Sequence, residues 1–395
     1  MTKQKTGAYN WLMNQTTNAN LEKISWTNVA FLVGSPLALV LALVFGWVTW
    51  SAAYWPLYAL TFVLWVFGSL GISGGYHRLF SHKSYEAHPL LRLFYLVFGA
   101  IAIENSALEW CTDHRRHHHR VDTVDDPYNI RQGFFHAHMG WIFFHDSSKY
   151  AHVKFNDLEN DPLIRWQHRN YLLLAIGIGF MFPTLFGGWV ASRAGLPVAD
   201  GLLNGFFIGS VFRVVFMQHC TFFVNSLCHY FGAQPFTDQN TARDSYWFAF
   251  LTFGEGFHNF HHKYEFDYRN GIRWFDWDPT KWLVSGLSRV GMTWNLKRAA
   301  QRDMFRARLA MQEKRLVLKG QWNESVAHFK EKVEAAQEQF RKAWEQYQAA
   351  RKESHAHGHE TLEMLRAEFR KAKHEFEVVY AKWRDCVRAP HLVTA

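Results

Sequence analysis

The chain has 395 residues, 43 Lys+Arg against 34 Asp+Glu for a formal charge of +9, and 23 His. With 49% hydrophobic and 17% aromatic residues but only 19% charged, it is neither disordered nor collagen-like, because that much apolar material has to be buried. Four scattered cysteines (Cys111, Cys220, Cys228 and Cys386) with no CxxC exclude a disulfide scaffold and fit a reducing compartment.

A basic N-terminal stretch with Lys3, Lys5 and Lys23 leads into residues 24–76, which contain no Asp, Glu, Lys or Arg. A span needs about 20 predominantly apolar residues, so this stretch predicts two transmembrane helices. The expected reverse point is Trp50–Pro56, where interfacial aromatics surround a helix-breaking proline. The first apolar run starts too late and runs too long for a cleaved signal peptide. The apolar segment Leu90–Ile103 is too short to span and is expected at the interface or packed within a long loop. A second pair of spans is expected at about Tyr171–Ser192 and Gly201–Phe231. Four spans put both termini on one side. Lys and Arg concentrate in the N-terminal stretch and in the loop 77–169, so that side is read as cytoplasmic. Arg213 lies well inside the fourth span, where a charge calls for a partner or a polar cavity.

Four histidine-bearing groups follow the span ends: His77-Arg-Leu-Phe-Ser-His82, Asp113-His114-Arg-Arg-His117-His118, Asn225-Ser-Leu-Cys-His229, and Gly254-Glu-Gly-Phe-His258-Asn-Phe-His261-His262. In the second and fourth, three histidines stand at i, i+3 and i+4, so on a helix each trio is expected to aim at a common point. All four groups fall at the same end of the spans. Imidazole ligates Zn, Cu, Fe and Ni, and nine converging histidines exceed a four-ligand zinc site, which implies two metals. Spacing does not choose the metal or the reaction. His119, His136, His138 and His145 lack regular spacing and are read as supporting or surface residues.

These groups, and the span pattern from about Ile24 to Arg298, resemble the membrane-bound fatty acyl desaturases of the stearoyl-CoA delta-9 type, GEGFHNFHH being the most specific element. The resemblance implies a non-haem di-iron site with His77, His82, His114, His117, His118, His229, His258, His261 and His262 as ligands, and Asn225 reaching iron through a water. It implies O2 as co-substrate and a cis double bond, at position 9, as product. A di-iron lipid or alkane hydroxylase is the alternative. Glu104, Asn105, Trp110 and Asp113 occupy the positions that grip the acyl carrier, Glu104 in place of a glutamine. Thr112 stands where the acyl-CoA enzymes have an arginine, and His145-Asp146 where they have a basic pair, with Arg131 and Lys149 as other basic groups nearby. The carrier is therefore open between CoA and a membrane phospholipid. The sequence has no HPGG haem motif, GxGxxG or CxxC, so electrons are expected from a separate donor of the cytochrome b5, ferredoxin or flavin reductase kind. Nothing points to nucleic acid. The expected setting is a bacterial inner membrane.

After Arg298 the composition turns highly charged. Phe329, Val333, Ala336, Phe340, Ala343 and Tyr347, then Leu362, Leu365, Phe369, Ala372, Phe376, Val379 and Trp383, form two heptad seams. They predict a helical hairpin or coiled coil turning at His355–His359, either self-packed or an arm for docking or oligomerisation. The fold expected is thus an all-α integral membrane protein: a four-span domain with a cytoplasmic helical cap over residues 1–298, and a helical extension over 299–395. The mean hydropathy of −0.21 averages these two unlike parts.

Overall fold

The computed structural model describes residues 24–144, 154–352 and 359–388. The chain divides into two compact units, Met1–Ala299 and Ala300–Ala395. In chain order the first unit is built from α1 (Trp26–Val44), α2 (Ala52–Ser81), α3 (Pro89–Ala100), α4 (Ala107–Arg120), α5 (Pro162–Arg193), α6 (Val198–Tyr230), α7 (Tyr246–Leu251), α8 (His258–Lys263) and α9 (Pro279–Ser288). The strands among the described residues form one two-residue antiparallel ribbon, β1 (Glu86–Ala87) against β2 (Thr293–Trp294).

Four helices, α1, α2, α5 and α6, are long and apolar enough to cross a membrane. The turn between the first two differs from the expected one. α1 stops at Val44, where Gly46 takes a φ of +68° that a larger residue would resist. Pro56 breaks nothing. It sits in the first turn after Trp55, where its missing N–H costs no hydrogen bond, while the Ser51 side chain accepts from Ala53 N. α5 and α6 cross where glycines remove the side chains. A Cβ on Gly187 would stand 2.2 Å from the Gly201 carbonyl oxygen, so the two backbones touch through small residues. Asn204 on α6 donates to Thr49 Oγ1, which places both short turns at one end of the bundle.

The opposite end carries the rest of the unit. Asn28 of α1 donates to the Ile142 carbonyl. α2 and α6 end there, and α3 packs back on the last, π-helical part of α2 (Gly71–Ser81) rather than spanning. Tyr76, Tyr95, Leu96 and Cys111, all buried, form the core beneath this end. Arg213 is 1% exposed and bonded to three backbone carbonyls, of Ile101, Gly179 and Gly209. Its partners are thus peptide dipoles left free where α3 ends and where α5 and α6 turn π-helical.

The second unit comprises α10 (Gln301–Leu318), α11 (Glu324–Lys352) and α12 (His359–Arg388). α11 and α12 pair along the predicted seams, Phe340 lying 5.7 Å from both Phe369 and Phe376. The hairpin is not two helices alone. α10, which carries no seam of its own in the heptad reading, adds Leu309 and Leu316 to a core with Val326, Val333, Trp383 and Cys386. The turn at His355–Gly358 lies outside the described residues.

Candidate metal centre

Each histidine is placed by an element with its own local cause. α4 is fixed at its start by a reciprocal cap: the Ser106 hydroxyl accepts from Glu109 N while the Glu109 carboxylate accepts from Ser106 N. From α4, Arg115 reaches the C-terminus of α2 and donates to the Phe80 and Ser81 carbonyls, with Asp157 holding its other edge. Those carbonyls have no helical partner, so the arginine both satisfies them and locks His77 and His82 against α4.

The nine imidazoles fall into two sets. His77, His82, His114, His118 and His261 form one; His117, His229, His258 and His262 form the other; within each set the nearest nitrogens all lie within 4.8 Å of one another. The two trios are therefore divided, not aimed at single points as their spacing predicts. At about 100° per residue, i and i+4 differ by only about 40°, while i+3 falls about 100° away from i+4. His114 stays with His118 and His258 with His262, whereas His117 and His261 each cross to the other set.

Within the sets Nε2 faces Nε2: His77 and His261 at 3.0 Å, His82 and His114 at 2.8 Å, His118 and His261 at 3.0 Å. In the second set His229 and His262 each lie 3.0 Å from His258, and His117 3.3 Å from His262. At four rings the opposite nitrogen looks outward to an acceptor. His77 Nδ1 is 2.8 Å from Glu255, His117 Nδ1 2.7 Å from Asp126 and His118 Nδ1 2.9 Å from Glu265. His229 Nδ1 donates to Thr241 Oγ1, whose own proton goes to Asp122. At these four rings, with the Nδ1 proton used outward, the Nε2 lone pair faces the middle, where a cation can be held. Burial, reinforced by neighbouring imidazoles, pushes His82, His114, His258, His261 and His262 well below the ordinary imidazole range. His118 is lowered to about 4 by burial despite Glu265. Neutral imidazole is the ligating form, so the donor set fits a pair of metal ions.

The carboxylates behind the rings carry no spacing signal, and sequence reasoning missed them. Burial alone would raise the Glu255 carboxyl, but His77 and Arg78 beside it hold it at about 2. Arg78, 1% exposed, also binds Asp278, so a buried charge network braces the first set. The GEG of the fourth group contains Glu255, the one hint available in the sequence.

Two cavities meet at the metal sets. The inner one is walled by Ile72, Met217, Val224, Leu251 and Phe253 and reaches His77, His114 and His258. The outer one holds Glu104, Asn105, Trp110 and Asp113 together with Phe31 and Gln218. Trp110, His114, Thr221 and Asn225 line both. Trp110 stacks on His114 at 4.9 Å and donates Nε1 to Glu104 Oε2, and the Thr221 hydroxyl also bonds the Glu104 carboxyl. Burial pushes the Glu104 carboxyl up to about 8. Asp113 pairs with Arg116. Thr112 bonds back to the Leu108 carbonyl. Arg131 is largely exposed and 3.9 Å from Asp122; His145, Asp146 and Lys149 lie outside the described residues.

Of the unspaced histidines, His119 is exposed and His136 half-buried. His138 is buried outside both sets, 2.9 Å from His219 and from Ser226. His219 was not anticipated, since 81 residues separate the pair.

A helical chain with four membrane-length spans and a nine-imidazole centre at one end fits the class of membrane proteins with a histidine-built metal site. Within that class, the fatty acid desaturase family matches residues 52–295, more than half of the chain, and the chain belongs to that family. It is 40% identical over 306 residues to acyl-CoA desaturase 1 of Saccharomyces cerevisiae, covering 76% of this chain and 57% of that protein. It is 31% identical over 283 residues to the sn-1 stearoyl-lipid 9-desaturase of Anabaena variabilis, covering 71% of this chain and 97% of that one. Stearoyl-CoA desaturase 5 of Bos taurus is 33% identical over 246 residues, 61% of this chain and 71% of the relative. The chain spans only 57% and 47% of the yeast acyl-CoA desaturase 1 and the probable acyl-CoA desaturase of Schizosaccharomyces pombe.

Proposed function

We propose that the protein is a fatty acyl desaturase that places a cis double bond, at position 9, in a saturated chain. The observation that carries this reading is the junction of two cavities, one apolar, at two sets of converging imidazoles. The nine histidines would hold two irons, His77, His82, His114, His118 and His261 one and His117, His229, His258 and His262 the other, with Asn225 beside the second through a water. When bound, such a pair supplies reductive activation of O2. The overall change consumes O2, two electrons and two protons, and releases two waters as two hydrogens leave adjacent carbons.

The protein's own part is positional. Ile72, Met217, Val224 and Phe253 offer an acyl chain a dry wall and hold one methylene pair beside the imidazoles. Trp110, braced on His114, narrows the passage between the cavities. Glu104, neutral below about pH 8, lines the outer cavity beside Thr221 and Trp110 and can donate to an acyl carbonyl there. Asn105 and Asp113 line the same mouth. Glu255, Asp126 and Glu265 keep the rings oriented and their Nδ1 protons outward.

Relatives named for acyl-CoA and for acyl-lipid substrates stand side by side, so the carrier is either CoA or a phospholipid. Lys and Arg gathered on the metal side orient that side and the termini to the cytoplasm. Electrons come from a redox partner of the cytochrome b5, ferredoxin or flavin reductase kind, and the helical tail serves as a docking or oligomerisation arm.

The test is expression in a host supplied with a redox partner, followed by double-bond mapping of its fatty acids beside a His117→Ala, His118→Ala control. New position-9 unsaturation that the control lacks supports the reading. An unchanged profile, or hydroxylated chains, contradicts it.

A further inference from the structure

Aromatic residues concentrate in two stretches after α6, 246–250 and 274–282. In a water-facing cap such side chains turn inward. Here Trp247 is 87% exposed and Trp274 83%, and Tyr246, Phe250, Phe275 and Trp277 are exposed with them. The stretches make one surface: Phe250 meets Trp277 with ring centroids 4.8 Å apart, and Trp277 meets Trp282 at 5.6 Å. Trp282 Nε1 donates to the Trp274 carbonyl, which ties the loop together. A continuous exposed aromatic face of this kind marks a contact surface.

Its position names the occupant. Phe248 of α7 packs on Phe223 of α6 at 6.0 Å, and Phe253, just past α7, packs on Trp65 of α2 at 5.2 Å. Both partners lie inside candidate spans. α6 has 33 residues including its N-terminal turns. At 1.5 Å each that is about 50 Å of helix against about 30 Å of hydrocarbon, so roughly 20 Å stands outside. His229, at its end, is packed into the imidazole sets, so the excess belongs to this side. Phe223 is seven residues before Tyr230. That places it about 10 Å from the helix end and about 10 Å beyond the hydrocarbon, at the outer edge of the headgroup layer. Trp and Tyr, apolar in body and polar at one edge, suit that layer. Arg273, exposed beside Phe275, adds a charge for lipid phosphate.

We propose that α7 and the segment 274–282, a loop running into the first turn of α9, sit in the headgroup–acyl boundary of the bilayer that the spans cross, so that the cap is itself a membrane-seated element. Leu251 and Phe253 line the inner cavity, which makes the lipid-seated α7 the wall between that cavity and the bilayer. The inference needs the spans but neither the metals nor the substrate.

The test uses the full chain in vesicles of phosphatidylcholine and phosphatidylglycerol, with nitroxides on Trp247→Cys and Trp274→Cys. The native cysteines Cys111, Cys220, Cys228 and Cys386 are buried. Relaxation by O2 is expected to exceed relaxation by a water-soluble nickel chelate severalfold at both sites, the reverse of a label on the exposed loop variant Asp125→Cys. Nickel-dominated relaxation at both sites, or shielding that develops only when a soluble redox protein is added, overturns the proposal. As an independent readout that keeps aromatic packing, Trp247→Phe, Trp274→Phe is expected to lower the fraction of tryptophan fluorescence quenched by brominated phospholipid. An unchanged fraction also overturns it.

Discussion

The two units of this chain are both helical and are held by opposite means. In Ala300–Ala395 the core is apolar and aromatic, with Trp383 fully buried, and the charges pair at the surface as Arg341 does with Glu338 and Glu345. Such exposed pairs are screened by water and contribute little, so packing carries that unit. In Met1–Ala299 the region beside the spans buries Arg78, Glu255, Asp278 and nine imidazoles together. Burying charge is a poor way to stabilise a fold, since well-packed apolar groups often do as well or better. The first unit is therefore organised to fix ring directions, and the second to hold itself together.

Substitutions in the two units should separate these purposes. The largest effect is expected at the imidazoles: His258→Ala in one set and His261→Ala in the other should each bring double-bond formation below detection in fatty-acid analysis, whereas Trp383→Ala leaves it measurable. Trp383→Ala should instead cost about 3–5 kcal/mol within the second unit, read as an earlier unfolding transition with metal content unchanged. Next come the carboxylates. Asp126→Asn is expected to weaken metal binding about 10–100-fold in a chelator competition. Glu265→Gln should weaken it less, because Glu265 is half-exposed and water can replace its contact.

The smallest effect is a pH profile. Burial holds the Glu104 carboxyl at about 8, so it is a neutral donor below that pH and a buried anion above it. The KM for the acyl substrate should therefore rise about tenfold between pH 7 and pH 9, and Glu104→Gln, an amide donor at every pH, should show a flat profile. A parallel rise in both proteins would remove Glu104 from the mouth.

Much of this was legible in the chain. Uninterrupted apolar runs mark the four spans, and the histidine spacings mark the centre. Pro56 was misread because a proline breaks a helix interior but suits a first turn, and only the cap at Ser51 tells the two apart. The division of His117 from His118 follows from helical angle, yet depends on there being two ring sets to divide between, which only the tertiary fold assembles. Asp126, Glu265 and the His138–His219 pair meet their partners only through tertiary packing, so no local pattern announces them, and Glu255 is hinted at only by its place in the fourth histidine group. The three carbonyls around Arg213 arise where helices end or turn π-helical, which composition does not encode.

The most direct test of the two-set arrangement is the metal content of the purified full chain, measured by mass spectrometry beside His258→Ala. Two irons per chain in the wild type, falling in the variant, is the expected result. A single metal per chain, or zinc in place of iron, would contradict it.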